Sequence, residues 1–291
     1  MAHNERAIVF KCGDKRLVGI VHGTGCAATG VLVIVGGPQY RAGSHRQFLL
    51  LARYLAANNI PVLRFDYRGM GDSEGEVRTF EEVGDDICAA IDAFFIESPG
   101  LQSVVLWGLC DAASAALFYG HTDPRVQGLI LLNPWVWTES GEAKAYLKHY
   151  YLQRVFDKAF WQKVFGGKFE FARSLSSLWG AVKRSCGNNA ALNSGQEEKE
   201  ADLNELAATT ALPQRMYQGL EHFQGQVGIL ISGNDLTAAE FEDMVKASKA
   251  WKKLLKTKAV EIRHVPQADH TFSRQVWRDQ VAEYSLQWAR R

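Results

Sequence analysis

Four apolar, β-branched runs, each set against a helical pattern, constrain this chain more than anything else in it. GVLVIVGG (30–37) precedes a helical pattern from about residue 44 to 58. PVLRFDYRGMGDSEG (61–75) is a strand running into a glycine-rich loop, with a helical pattern over 79–97. SVVLWG (103–108) leads into an alanine-rich helix after Cys110, and VQGLILLNP (126–134) is a further strand. Continuous apolar runs of this length mark strands buried on both faces. Their strict alternation with helices predicts a doubly wound, mostly parallel α/β sheet. Upstream, RAIVFKC and RLVGIVHG flank GDK and predict an opening β-hairpin.

The alternation stops for about ninety residues after Trp135 and resumes with VGILISG (227–233). A helix at about 238–256, the strand AVEIRHV (259–265) and a last helix over 271–290 complete the pattern. Residues 1–134 and 226–291 are therefore expected to form the two parts of one core, with 135–225 inserted as a helical cap. The polar stretch CGNNAALNSGQEEKEAD reads as a mobile loop within that cap. A helical insertion late in such a sheet covers the carboxyl ends of the strands, where open α/β sheets bind ligands.

The joint between the strand at 103–108 and the alanine-rich helix holds the first candidate for chemistry. Gly108, Cys110 and Ala112 form G-x-C-x-A, the shape of a nucleophile elbow, usually G-x-S-x-G. The turn is so tight that the residues two before and two after the nucleophile must be small. The helix beginning there aims its amides and positive dipole end at the thiol. A buried structural cysteine is the competing reading of the motif alone.

A thiol nucleophile needs a base, and the base needs an orienting acid. Elbow hydrolases place them in the order nucleophile, acid, histidine. Asp235 in ILISGNDLT lies just past a strand end, and His270 in VPQADHTF lies past the next strand and before the final helix. Cys110, Asp235 and His270 are thus the candidate triad. His264 falls inside a strand; His22, His121 and His149 have no strand-end placement. Asp269 adjoins the histidine but points away from it in an extended loop. The carboxylate of Asp111 would oppose a thiolate, so helix capping suits it better, while its backbone N–H is the expected first oxyanion donor.

The second donor is expected from GGPQYRAGSHRQF, with Gly37 the first choice and Gln39 behind it, because Pro38 has no N–H. Arg41, His45 and Arg46 on the same loop are candidates for meeting an anionic part of a substrate. Solvated charges at a helix start are the equally weighted alternative.

Composition excludes several other classes. A formal net charge of +1 gives no global reason to expect nucleic acid as partner. No run of about 18 uncharged apolar residues occurs, so no stable membrane insertion is expected. MAHNERAIVF lacks a basic start followed by an apolar run, which argues against a secretory signal. Five cysteines (12, 26, 88, 110 and 186) without a C-x-x-C suggest neither a disulfide framework nor a zinc site, and a reduced, cytoplasmic protein is expected. GTGCAATG (23–30) lacks the G-K-[ST] of a phosphate loop. There is no H-E-x-x-H or clustered His/Cys ligand set, so no metal or other cofactor is expected.

With these residues in view, the chain resembles the α/β-hydrolase fold over nearly its whole length, and DYRGMGDSEG resembles that fold's D-x-R-G-x-G-x-S loop, in which Asp66 and Arg68 brace the turn. More narrowly, GGPQYRAGSHRQF, GLCDAASAA, LNPWVWTESGEAKAYLKHYYLQR and ADHTFS resemble the exosortase A system-associated hydrolases. That family occurs in bacteria beside genes for exopolysaccharide production and for sorting proteins with a C-terminal anchor signal. The resemblance implies Cys110, Asp235 and His270 as triad. The departure from the wider pattern is Cys for Ser and Ala112 for Gly, and dienelactone-type hydrolases are similar in using a cysteine.

The chemistry so implied is attack by Cys110 on an ester, lactone or thioester, with amide cleavage less favoured. An acyl-cysteine is itself a thioester, so transfer to an acceptor other than water stays open, as does an idle, hydrolase-like binding or scaffold protein. Between Gly141 and Arg184 nine Lys/Arg stand against three Asp/Glu, interleaved with aromatics. That pattern suits either a solvated amphipathic cap helix or a basic rim for a small acyl substrate carried on coenzyme A or acyl carrier protein. An anionic polysaccharide or membrane surface is a further reading of the same rim.

Overall fold

The structure is a computed structural model and describes residues 4–23, 27–37, 39–136, 211–258 and 260–291. Two alternating segments pair as the antiparallel strands β1 (Glu5–Cys12) and β2 (Lys15–His22), matching the expected hairpin. The buried runs form β3 (Thr29–Ile34), β4 (Val62–Phe65), β5 (Ser103–Leu109), β6 (Val126–Leu132), β7 (Gln226–Asn234) and β8 (Glu261–Asp269). One eight-stranded sheet results, in the order β1-β2-β4-β3-β5-β6-β7-β8. β2 runs antiparallel to β4, and every pairing from β4 to β8 is parallel.

Helices α1 (Gln47–Ala57), α2 (Gly84–Glu97), α3 (Asp111–Gly120), α4 (Leu212–His222), α5 (Leu236–Ala247), α6 (Lys249–Thr257) and α7 (Gln275–Ala289) complete the described residues. Alternate strand residues face opposite helical layers, as a period of two requires. Val31, Val33, Val105, Trp107 and Leu109 pack with Phe48, Leu51 and Leu55 of α1 and with Val281, Ala282 and Leu286 of α7. On the other face, Gly30 lies so close to Phe94 of α2 that a Cβ would sit 2.8 Å from its ring. Trp107 anchors the first layer: it meets Phe48 edge-on at 5.5 Å and donates from Nε1 to Ser285 Oγ at 3.0 Å. An unpaired indole N–H at such depth would cost about 1–3 kcal/mol.

One expectation changes in detail. The single helix expected over 238–256 is two helices, because Ser248 leaves helical geometry (φ −106°, ψ 119°) and its Oγ accepts from Trp251 N to cap the second. Residues 4–136 and 213–291 form one compact body, which takes in α4 from Pro213 onward. Met216 and Leu220 of α4 are buried, and a Cβ on Gly219 would lie 2.2 Å from the Leu117 carbonyl oxygen of α3. The rest of the expected cap, with its basic aromatic stretch and polar loop, lies outside the described residues. No helix among the described residues is long and apolar enough to cross a membrane.

Candidate active site

Cys110 sits between β5 and α3 with φ 63° and ψ −124°. A non-glycine residue held at such a positive φ costs on the order of 1–3 kcal/mol and persists only where its surroundings impose it. Here they do. Cys110 N–H donates to Leu132 O at 2.9 Å, while its carbonyl accepts from Ala113 N at 3.0 Å and Trp135 N at 3.3 Å. Ser114 Oγ donates to Trp135 O at 2.7 Å and staples the same turn to the end of β6. Gly108 meets the size rule directly, since a Cβ there would lie 2.5 Å from the Ala112 backbone.

Asp235 caps α5 from an extended conformation, its carboxylate accepting from Thr237 N at 3.3 Å and Ala238 N at 3.1 Å. The same carboxylate meets His270 Nδ1 at 2.9 Å. Three contacts fix its direction, so the imidazole it holds is fixed as well. The Asp235 hydrogen bond, followed by one to the Cys110 thiol, pushes the His270 pKa up to about 10 against the opposing effect of burial. With Nδ1 turned to Asp235, Nε2 is the ring nitrogen left for the thiol. The structure thus brings together the three residues that sequence order had selected.

The other histidines and acids lie elsewhere. His22 is buried and accepts from Arg64 Nε at 2.9 Å; His264 is exposed and meets Glu242 at 2.9 Å; the His121 ring lies tilted against that of His222, their centroids 5.7 Å apart. His149 falls outside the described residues. Asp269 turns to Ser273, whose N–H it accepts at 2.9 Å.

The β3 loop departs from expectation at two residues. Gly37, the first choice for the second oxyanion donor, already donates its N–H to Asp111 Oδ2 at 2.8 Å. That amide is occupied, which leaves Gln39 as the loop's remaining named candidate; its side-chain Oε1 accepts from Ser44 N at 3.0 Å. Arg41 is engaged within the protein as well. Its N–H donates to Asp66 Oδ1 at 2.7 Å, and its guanidinium pairs with Asp66 and, at 2.6 Å, with Asp72. Asp66 is completely buried, so Arg41 is the cation that makes this burial tolerable. Arg68 similarly grips the buried Asp86 with two side-chain bonds of 2.9 and 2.8 Å. His45 and Arg46 are exposed with left-handed backbones (φ 52° and 61°).

Replacing Arg41 by Ala is accordingly expected to cost about 3–5 kcal/mol of stability, the range for stranding a buried charge. Urea unfolding measures this. A raised KM at unchanged stability would instead return Arg41 to the substrate.

Sequence reading missed Asn133. It is completely buried at a positive φ of 44°, donates from Nδ2 to Ser232 Oγ at 2.8 Å and to the His270 carbonyl at 3.2 Å, and accepts from Ser232 N at 2.9 Å. It ties β6, β7 and the histidine loop at one point. The available signal was a polar residue closing the apolar run VQGLILL, just before Pro134.

Among the described residues no group of three or more His, Cys, Asp or Glu side chains is placed to hold a metal ion. An eight-stranded, mostly parallel sheet with its first strands antiparallel, bearing an elbow after β5 and a histidine after β8, defines an α/β-hydrolase. The family described as serine aminopeptidase, S33, matches residues 27–191, more than half of the chain, and the chain belongs to that hydrolase family. Its elbow carries Cys110 where the family's description names serine.

Solved structures give the same fold. The Pyrococcus furiosus esterase Pf2001 is 14% identical with a TM-score of 0.62, covering 99% of this chain and 94% of its own. Est1E from Butyrivibrio proteoclasticus, solved with ferulic acid, is 16% identical with a TM-score of 0.60, covering 98% and 100%. A dienelactone hydrolase from Anabaena variabilis is 14% identical with a TM-score of 0.56, covering 99% and 97%. No curated protein matches the sequence.

Proposed function

We propose that the chain cleaves an ester, lactone or thioester through a Cys110–His270–Asp235 triad and an acyl-cysteine intermediate. The observation that carries this reading is a cysteine held at a positive φ at the elbow, with the imidazole that follows β8 oriented through Nδ1 by a capping carboxylate. The thiolate attacks the acyl carbon, and the tetrahedral oxyanion is met by the Asp111 N–H and a donor of the β3 loop. Collapse expels the alcohol or thiol, protonated by His270. The imidazole then takes a proton from water, which attacks the acyl-cysteine, releases the acid and restores the thiol.

Membership in a hydrolase family and likeness to two esterases and a lactone-cleaving enzyme support this substrate class. The finer setting, an exopolysaccharide- and exosortase-associated role with the acyl group on coenzyme A or acyl carrier protein, rests on the four sequence segments and the basic stretch at 141–184.

Intact-protein mass spectrometry after brief exposure to acyl thioesters, p-nitrophenyl esters and aminoacyl p-nitroanilides tests the reading. An acyl adduct on the wild type and none on Cys110→Ala is expected, with esters and thioesters ahead of anilides. An adduct that hydroxylamine or an alcohol discharges faster than water would favour acyl transfer. Wild type without adduct or turnover would leave a binding or scaffold role.

A further inference from the structure

We propose that the Asp111 side chain is a positioning residue that clasps the β3 loop onto the elbow and thereby sets the oxyanion site; this rests on the acyl-cysteine reading above. Its carboxylate joins two segments far apart in sequence. Oδ2 accepts from Gly37 N at 2.8 Å, and Oδ1 accepts from Ala112 N at 2.9 Å, on the residue following Asp111 at the start of α3. Asp111 is 7% exposed, so little water competes for those bonds.

The loop is shaped to receive this carboxylate. A Cβ on Gly36 would lie 2.0 Å from Asp111 Oδ1, so any side chain there would expel it. At its far end the same loop is fixed by Arg41 on the buried Asp66. Between the two anchors lie only Pro38, Gln39 and Tyr40. Gly37 N is taken by the clasp and Pro38 has no N–H, so the span that must supply a donor is short and held at both ends.

A carboxylate beside the nucleophile also carries an electrostatic cost. It repels a thiolate and the oxyanion that forms next, although it attracts the His270 imidazolium. A neutral residue at position 111 would remove the repulsion. Asp111 fits the site because its two oxygens bridge two amides, one on the β3 loop and one in the first turn of α3.

The test compares two reactions of one thiol. Acylation by p-nitrophenyl acetate in a single turnover needs the oxyanion site; alkylation by iodoacetamide does not. Asp111→Ala is expected to acylate about 10- to 100-fold more slowly, the scale of a sub-ångström to ångström misplacement, while alkylation is no slower. Asp111→Asn keeps one acceptor and the side-chain volume, and should fall between the two. Acylation by either variant within about twofold of wild type overturns the clasp, as does alkylation that slows in parallel with acylation. A wild type that alkylates but never acylates would defeat the acyl-cysteine reading itself, a different result from any of these.

Discussion

Cys110→Ala should lower acyl transfer by about 10⁴-fold or more, the scale on which removal of a catalytic nucleophile acts in comparable triads. The large loss follows from the mechanism: without the sulfur no covalent intermediate forms, and only the oxyanion donors and binding remain. The fold should survive, because the constraints on residue 110 act on its backbone. Leu132, Ala113 and Trp135 hold its N–H and carbonyl, and alanine keeps the same Cβ at the same positive φ. Circular dichroism beside initial rates checks both halves. Turnover within tenfold of wild type would remove Cys110 from the chemistry.

Asp235→Asn is expected to cost on the order of 10³- to 10⁴-fold in kcat, since a carboxamide cannot hold the imidazole in the required tautomer. Asparagine is as good a helix cap as aspartate, so α5 should keep its first turn. The pH–rate profile gives the sharper reading. His270 holds its proton up to about pH 10 because of Asp235 first and Cys110 second. Its role as acid to the leaving group should therefore fail only as pH rises through that value. In the variant the alkaline limb should move down toward the ordinary imidazole value of about 6.5. An unmoved limb would show that another group sets it.

The same raised pKa has a consequence for stability. The folded ring binds its proton more tightly than the unfolded one, so the contribution is fully present below about pH 6.5 and is lost as pH rises toward 10.

The central strands were legible because burial on both faces writes a continuous apolar run, and β3, β5 and β6 are buried almost throughout. The residues now seen together at the site were legible by chain order and by position at strand ends. What escaped depends on partners distant in sequence. Asn133 meets Ser232 99 positions away, and the Gly37 amide is taken by a carboxylate 74 positions away. Neither local pattern announces its partner. Arg41 looked like a charge beside a pocket because the buried Asp66 that claims it is 25 residues downstream. The break at Ser248 was hidden for another reason: the apolar pattern continues on both sides, and only a serine capable of capping marks the interruption.

One carboxylate, that of Asp235, both begins a helix and aims the His270 imidazole. Helix ends open far more readily than a sheet does, with free energies well below that of global unfolding. Warming should therefore silence turnover while the eight strands still stand, and cooling should bring it back. For anyone seeking a longer-lived enzyme, the place to stiffen is the four-residue stretch 235–238 that begins α5.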